Sequence, residues 1–361
     1  MRPDIWNAVR STAPLQWMLL PVCALGIFVG SVCPQETIRV DTDLIRVPVV
    51  VFDRDGRYIP NLKKGDFAVL EAGKLQEIDT FSTVDEPITV YLLLDTSGTM
   101  RPFMDDLGRA AGIFMSALRP SDRLFFSIFA DGEVSLIKNE PIEKLLKVNK
   151  VIAIRPLASK ATFVYDAVDG VLKRFASIKG RKAIILFSDA LSDSRRATAA
   201  DNFRDAEEQD ALIYTVRYGD VTSRPEWVAA RSVQKQVAES HHSILHQDRV
   251  EQIVPWWDVE AVGDGKLKRK ELEAQKQRTK GYMDTLAART GGRSFEIDKI
   301  EDLAGVFEQI TLELRRTYTL SYYSNSDSGP ERRKLEVKVN VPNAAVRAKR
   351  EVIIAHAKPA P

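Results

Sequence analysis

The chain has 361 residues, 44% of them hydrophobic and 28% charged, a balance typical of soluble folds and ample for more than one packed unit. Its 52 basic and 50 acidic side chains cancel to a net charge of +2, so there is no electrostatic footprint for a nucleic-acid partner. The only cysteines, Cys23 and Cys33, lie close to the N-terminus, so the domains that follow have no internal disulfide and must be held by packing.

Arg2 and Arg10 precede an uncharged apolar run from Leu15 to Val32. A basic flank followed by such a run is the pattern of an export signal, and a run approaching about 20 residues also meets the length of a spanning anchor. Residues 1–35 are therefore expected to be a signal peptide or an N-terminal anchor. The protein is expected to work outside the cytoplasm, periplasmic, secreted or membrane-anchored, with the leader as its one route to a membrane.

Residues 37–87 read as short strands and turns: IRVPVVVFD, a DRDG turn at Asp53–Gly56, FAVLEAG and LQEIDTF. Val and Ile enrichment punctuated by Asp and Gly predicts antiparallel strands in a small accessory unit. At Ile88 the pattern changes to ITVYLLLD, a continuous apolar run that suits a strand buried on both faces of a parallel sheet. Apolar residues at helical spacing follow from Leu107 to Leu118, then a strand at LFFSIFA, a helix from Thr162 through Phe175, and a second buried strand at KAIILFSD. A helix around Arg195 to Gln209 leads into ALIYTVRYG. Strands alternating with helices predict a doubly wound, mostly parallel, Rossmann-like α/β sheet over residues 88–315.

Residues 221–280 interrupt this alternation with a charged, helical insertion. It contains His241, His242 and His246, Trp256 and Trp257 beside Pro255, and a basic run at Lys266, Lys268, Arg269 and Lys270. Each of these reads first as a solvated or packed face, because metal or partner recognition needs more than spacing. MDTLAARTGGRSFEI then resumes the α/β pattern, with the Gly291–Gly292 turn before Arg293 explained by backbone geometry alone. Leu303 to Leu314 closes with a helix. Residues 316–355 return to alternating strands, YTLSYY, RKLEVKVNV and VRAKREVII, expected to pair with residues 37–87 because neither flank has enough strands to bury a face alone.

Chemistry concentrates at the strand ends. Asp95, Ser97 and Thr99 occupy the turn DTSGT after the first buried strand, Thr162 precedes a helix, and Asp189 ends KAIILFSD. Strand ends in an open α/β sheet face the ligand crevice. A carboxylate and hydroxyls on alternate residues of one turn can aim oxygens at a common point, and oxygen-only ligands suit a hard cation such as Mg²⁺.

These segments, ITVYLLLDTSGTM, ATFVYDAV, KAIILFSD and LAARTGGRSFEI, resemble the successive motifs of von Willebrand factor A-type domains, and the flanks resemble those of exported bacterial A-domain proteins known especially from Acidobacteria. The resemblance spans residues 37–341. It implies a metal ion-dependent adhesion site with Asp95, Ser97, Thr99, Thr162 and Asp189 as ligands to Mg²⁺, or Mn²⁺ or Ca²⁺ in its place. It also implies a non-enzymatic function, binding a protein partner that supplies an Asp or Glu carboxylate. Thr99 in place of the usual serine keeps the hydroxyl, whereas Ala190 stands where glycine commonly follows the third-loop aspartate. The alternative is a Mg²⁺-dependent phosphatase or phosphotransferase of the haloacid dehalogenase type, with Asp95 as nucleophile and Asp189 and Asp193 as metal carboxylates. Against it, no histidine falls near these loops to act as general base, and Lys160, the one nearby amine, is expected to face solvent.

Overall fold

The computed structural model describes residues 44–82, 86–147, 154–155, 157, 162–190, 196–219, 265–324 and 332–353, with backbone alone for 265–272. The expectations for residues 1–35, for the histidines and tryptophans of the insertion, for the basic side chains Lys266–Lys270, and for Lys160 and Asp193 lie outside the described residues or side chains.

In chain order the N-terminal flank supplies β1 (Leu44–Phe52), β2 (Phe67–Glu71), β3 (Lys74–Gln76) and β4 (Ile78–Ser82). The α/β domain follows with β5 (Ile88–Asp95), α1 (Met104–Ala117), β6 (Arg123–Phe129), β7 (Glu133–Pro141), α2 (Ile142–Lys147), α3 (Val164–Phe175), β8 (Arg181–Ser188), α4 (Ala199–Glu208), β9 (Leu212–Tyr218), α5 (Gly265–Thr290), β10 (Ser294–Ile297) and α6 (Asp302–Leu314). The C-terminal flank adds β11 (Tyr318–Tyr323), β12 (Arg332–Val339), β13 (Ala345–Ala348) and β14 (Glu351–Ile353).

The central sheet runs β10-β9-β8-β5-β6-β7. Its pairs are parallel except β6 with β7. Every residue of β5 and β8 is buried, because helices cover both faces and no side of the strand is left for water. Val90, Leu92 and Leu94 face a core shared with Leu107 and Phe114 of α1 and Phe307 and Ile310 of α6. Tyr91 and Leu93 face the opposite core, built with Val168 and Phe175 of α3 and Met283 and Leu286 of α5. The antiparallel edge strand β7 was not legible as a strand in the sequence: only Ile137 of EVSLIKNEP is buried, so it carries no buried-strand run and almost no two-residue alternation. Helix α5 also passes without a break through residue 280, where a boundary was expected. The glycine turn that follows is sterically required. A Cβ on Gly292 would sit 1.9 Å from the Ile213 carbonyl oxygen, and Gly291 takes φ +80° with Ala348 pressed against it.

The two flanks are built into each other. β1 pairs antiparallel with β11 and β13, β11 with β4, and β12 with both β2 and β14, giving sheets β13-β1-β11-β4 and β14-β12-β2-β3. Val47, Val49, Leu320 and Tyr322 of the first share a core with Phe67, Val69, Leu335 and Val352 of the second. Within it lies a buried charge pair. Glu71 Oε1 accepts from Arg333 at 2.6 Å and from Ser324 Oγ at 2.7 Å, while Glu71 Oε2 accepts from Tyr322 Oη at 2.9 Å. One carboxylate of the N-terminal flank thus organises three side chains of the C-terminal flank. Arg333→Met should cost about 3–5 kcal/mol, since it strands a buried carboxylate. The double variant Glu71→Met/Arg333→Met should recover much of that loss. Urea unfolding of the three proteins measures both, and equal stability of single and double variants would remove the pair from this role.

Candidate metal centre

Strand order places the candidate residues. From β5 the chain crosses to β6 on one side, and the next parallel neighbour, β8, lies on the other side. Ligands of open α/β sheets bind outside the strand C-termini at such a reversal. Asp95 is the last residue of β5 and Ser188 the last of β8, so Asp189 begins the loop directly across the crevice. After Asp95 the chain enters a 3₁₀ turn, Gly98–Phe103, before α1.

All five candidate residues are buried, none more than 5% exposed. The Ser97 N–H donates to Asp95 Oδ1 at 2.9 Å, closing the turn. The Ser97 and Thr99 hydroxyls lie 3.1 Å apart, and Thr99 Oγ1 donates to Asp189 Oδ2 at 2.5 Å. Side-chain hydrogen bonds therefore join the first loop to the third. Thr162 is brought to the same end of the sheet by its backbone neighbours: Thr96 N–H donates to the Phe129 carbonyl at 2.9 Å, and Phe163 N–H to the Ala130 carbonyl at 2.8 Å.

Two contributors were missed in the sequence. Ser188 Oγ donates to Asp95 Oδ2 at 2.7 Å and accepts from Ala190 N–H at 3.1 Å, so it ties β5 to the β8 loop. Its signal was a hydroxyl closing an otherwise apolar strand, beside the aspartate that drew attention. Asp166, in the first turn of α3, accepts from the Arg196 and Ala197 N–H groups at 3.0 and 2.7 Å and anchors the chain beyond Asp189. Ala190 adopts φ +63°. That left-handed conformation costs a residue bearing a Cβ about 1–2 kcal/mol relative to glycine. Arg293, by contrast, has no part in the centre: it pairs with Glu313 at 3.2 Å and lies over the Phe295 ring.

Burial, followed by the charge of Asp189, pushes the Asp95 carboxyl up to about 7. Two carboxylates removed from water this close together call for a proton or a cation. The donors fit a hard cation. They are carboxylate and hydroxyl oxygens, and among the described residues no cluster of three or more His, Cys, Asp or Glu side chains offers a softer or purely acidic site. Neighbouring oxygens in an octahedral Mg²⁺ shell at 2.0–2.1 Å lie about 2.9 Å apart. The observed separations of 3.1 and 2.5 Å along Ser97, Thr99 and Asp189 bracket that value.

No protein-family model matches the chain, and no curated protein matches it. Among solved structures it is similar to an aerotolerance-related membrane protein from Bacteroides fragilis NCTC 9343, at 11% identity and a TM-score of 0.39, over 63% of this chain and 99% of that one. It is also similar to the ArnB paralog VWA2 from Sulfolobus acidocaldarius, at 11% identity and a TM-score of 0.39, over 87% of this chain and 75% of that one. A third likeness is to proximal thread matrix protein 1 from the mussel byssus with a zinc-occupied MIDAS motif, at 9% identity and a TM-score of 0.41, over 68% of this chain and 49% of that one. Likenesses of this size carry no function across, so what the centre can hold has to come from its own residues.

The raised Asp95 carboxyl has a signed consequence. Because its folded value lies above the unfolded 3.8, the stability this group gives the metal-free protein should be fully present below pH 3.8 and be lost as pH rises through about 7. Asp95→Asn should flatten that dependence and raise metal-free stability at pH 8 by a few kcal/mol, at roughly 1.4 kcal/mol for each tenfold change in proton affinity. Thermal melts from pH 5 to 8 in chelator check this; a variant less stable than wild type at pH 8 would contradict it.

Proposed function

We propose that this chain is a von Willebrand factor A-type protein that holds Mg²⁺, with Mn²⁺ or Ca²⁺ as competitors, through Asp95, Ser97, Thr99, Thr162 and Asp189. In this reading it captures a protein partner whose Asp or Glu completes the cation's shell. The observation that carries the proposal is the buried network joining Asp95, Ser97, Thr99 and Asp189 at the reversal between β5 and β8. A cation there is the largest local charge, and an oxygen shell left incomplete by the protein attracts an anionic side chain.

In this reading Asp95 is a ligand rather than a nucleophile, its two oxygens oriented by Ser97 N–H and Ser188 Oγ, and turnover would need in addition a proton acceptor within reach of the reacting atoms. Mn²⁺ binding followed by electron paramagnetic resonance should show one site in the wild type and none in Asp95→Ala, with Mg²⁺ displacing Mn²⁺. Partner capture should disappear in both the variant and chelator-treated wild type. Capture that persists in chelator would refute the cation's role. Asp95-dependent hydrolysis of a phosphate ester by rigorously purified protein would instead install the dehalogenase-type reaction.

We further propose that the protein works outside the cytoplasm, free in a periplasm, secreted, or tethered by residues 1–35. The support is the basic flank and the uncharged run from Leu15 to Val32. Among the described residues no helix is long and apolar enough to cross a membrane. Fractionation of tagged protein with N-terminal sequencing should find the chain outside the cytosol or in membranes; intact Met1 in soluble cytosol would refute export.

A further inference from the structure

The sandwich and the α/β domain enclose a groove of about 810 Å³ at the C-terminal end of α6, within the size range of small-ligand sites. Arg181, at the start of β8, donates to the Leu314 carbonyl, so this end of α6 lies at the strand N-termini, away from Asp95 and Asp189 at the C-termini. The groove is physically separate from the candidate metal centre.

Its wall is held in place before any ligand arrives. Tyr318 Oη accepts from Leu62 N–H at 3.2 Å and donates to the Ile59 carbonyl at 3.1 Å, fastening the segment that carries Pro60 and Asn61. Tyr58 stacks on Tyr318 with ring centroids 5.9 Å apart, and Phe52 and Leu62 complete an apolar floor. Arg57, Arg293, Arg315 and Arg316 also line the groove, with Arg57 paired to Asp55 at 3.2 Å. The one lining carboxylate, Glu313, is already matched by Arg293 at 3.2 Å and by Arg347. Arg316 lies over the Tyr58 ring at 5.4 Å, which fixes its plane and leaves its donor edges free of the ring. Arg315 donates to the Ala117 carbonyl and its Nε is buried, so it adds charge to the groove more than free donors. A cationic rim in which the exposed Arg316 keeps its donors, over an aromatic floor, selects for oxyanions on an apolar body.

We propose that this groove binds a small ligand with clustered carboxylate or phosphate charge on an aromatic or apolar body. Binding is independent of the cation at Asp95. The probes are benzene-1,3,5-tricarboxylate and phenyl phosphate, titrated calorimetrically into the full chain in chelator at low salt. At least one should bind, the preferred probe telling carboxylate from phosphate, and binding should weaken as salt is raised. Arg316→Gln, at an exposed side chain, should reduce affinity about tenfold, the loss expected when a charged hydrogen bond is removed. Arg315→Gln should do the same, with a melting curve to show that it folds. Asp95→Asn should bind like wild type, so loss of the metal centre and loss of this site are read separately. Four results would overturn the proposal: no binding of either probe, unchanged affinity in Arg316→Gln, loss of binding in Asp95→Asn, or binding of an acidic peptide such as acetyl-Asp-Phe-Asp-Phe-amide with neither small anion.

Discussion

The reversal of strand order at β5 is the constraint on which the centre depends. A parallel sheet covered by helices on both faces buries every residue of its middle strands, so polarity can enter only where those strands stop. β5 stops at Asp95 and β8 at Ser188, side by side, with no helix crossing between their ends because the chain leaves β5 toward β6. Two carboxylates are thereby carried into the same desolvated crevice. Like charges so placed cannot both ionise without a compensating positive charge, and the hydroxyls of Ser97, Thr99 and Ser188 spread that charge only in part. A proton meets that deficit in part, by holding the Asp95 carboxyl neutral up to about pH 7.

Charge pairs cross from the flanking sandwich to the domain. Lys182 at the start of β8 pairs with Asp210 at 2.8 Å, and Arg46 of β1 reaches the same carboxylate at 3.6 Å. Glu207 of α4, almost wholly buried, is met by Arg289 at 2.7 Å and by Arg332 of β12 at 2.6 Å. Burial in this seam pushes the Lys349 amine down to about 8, partly opposed by Asp210 and Glu207. Such buried pairs contribute little net stability compared with apolar packing, but misdocking leaves charges unpaired and is costly. The seam therefore acts mainly on the relative placement of the two units, and that placement is what shapes the arginine-rimmed groove beside α6.

Strands buried on both faces announced themselves: ITVYLLLD and KAIILFSD became β5 and β8 because an unbroken apolar run ending in a carboxylate has few other homes. The helix pattern of Leu303 to Leu314 became α6 for a similar reason, since its apolar spacing matches one buried face. Where a strand faces water the signal fades. β7 has a single buried residue, Ile137, and reads as a polar loop until β6 supplies its hydrogen bonds. At the centre, Asp95, Ser97, Thr99 and Asp189, which hydrogen bonds bring together, stood out in the sequence by type and spacing. Ser188 and Asp166 did not, because their roles depend on groups 93 and about 30 residues away in sequence, and local pattern does not carry such distances.

Ala190 shows how the centre tolerates a poor local choice. Its left-handed backbone at φ +63° carries a steric cost that glycine avoids, so the conformation persists only because the surroundings enforce it. The enforcement is visible: Ser188 Oγ captures the Ala190 N–H while donating to Asp95, and Asp166 holds the backbone again at Arg196 and Ala197. Asp189 stands between Ser188 and Ala190, so the contacts of these two neighbours hold its backbone where its carboxylate accepts from Thr99 Oγ1. A methyl group at residue 190, itself buried, also narrows the backbone angles open to that residue. The strained residue and the hydroxyl that holds it thus fix the backbone that carries Asp189.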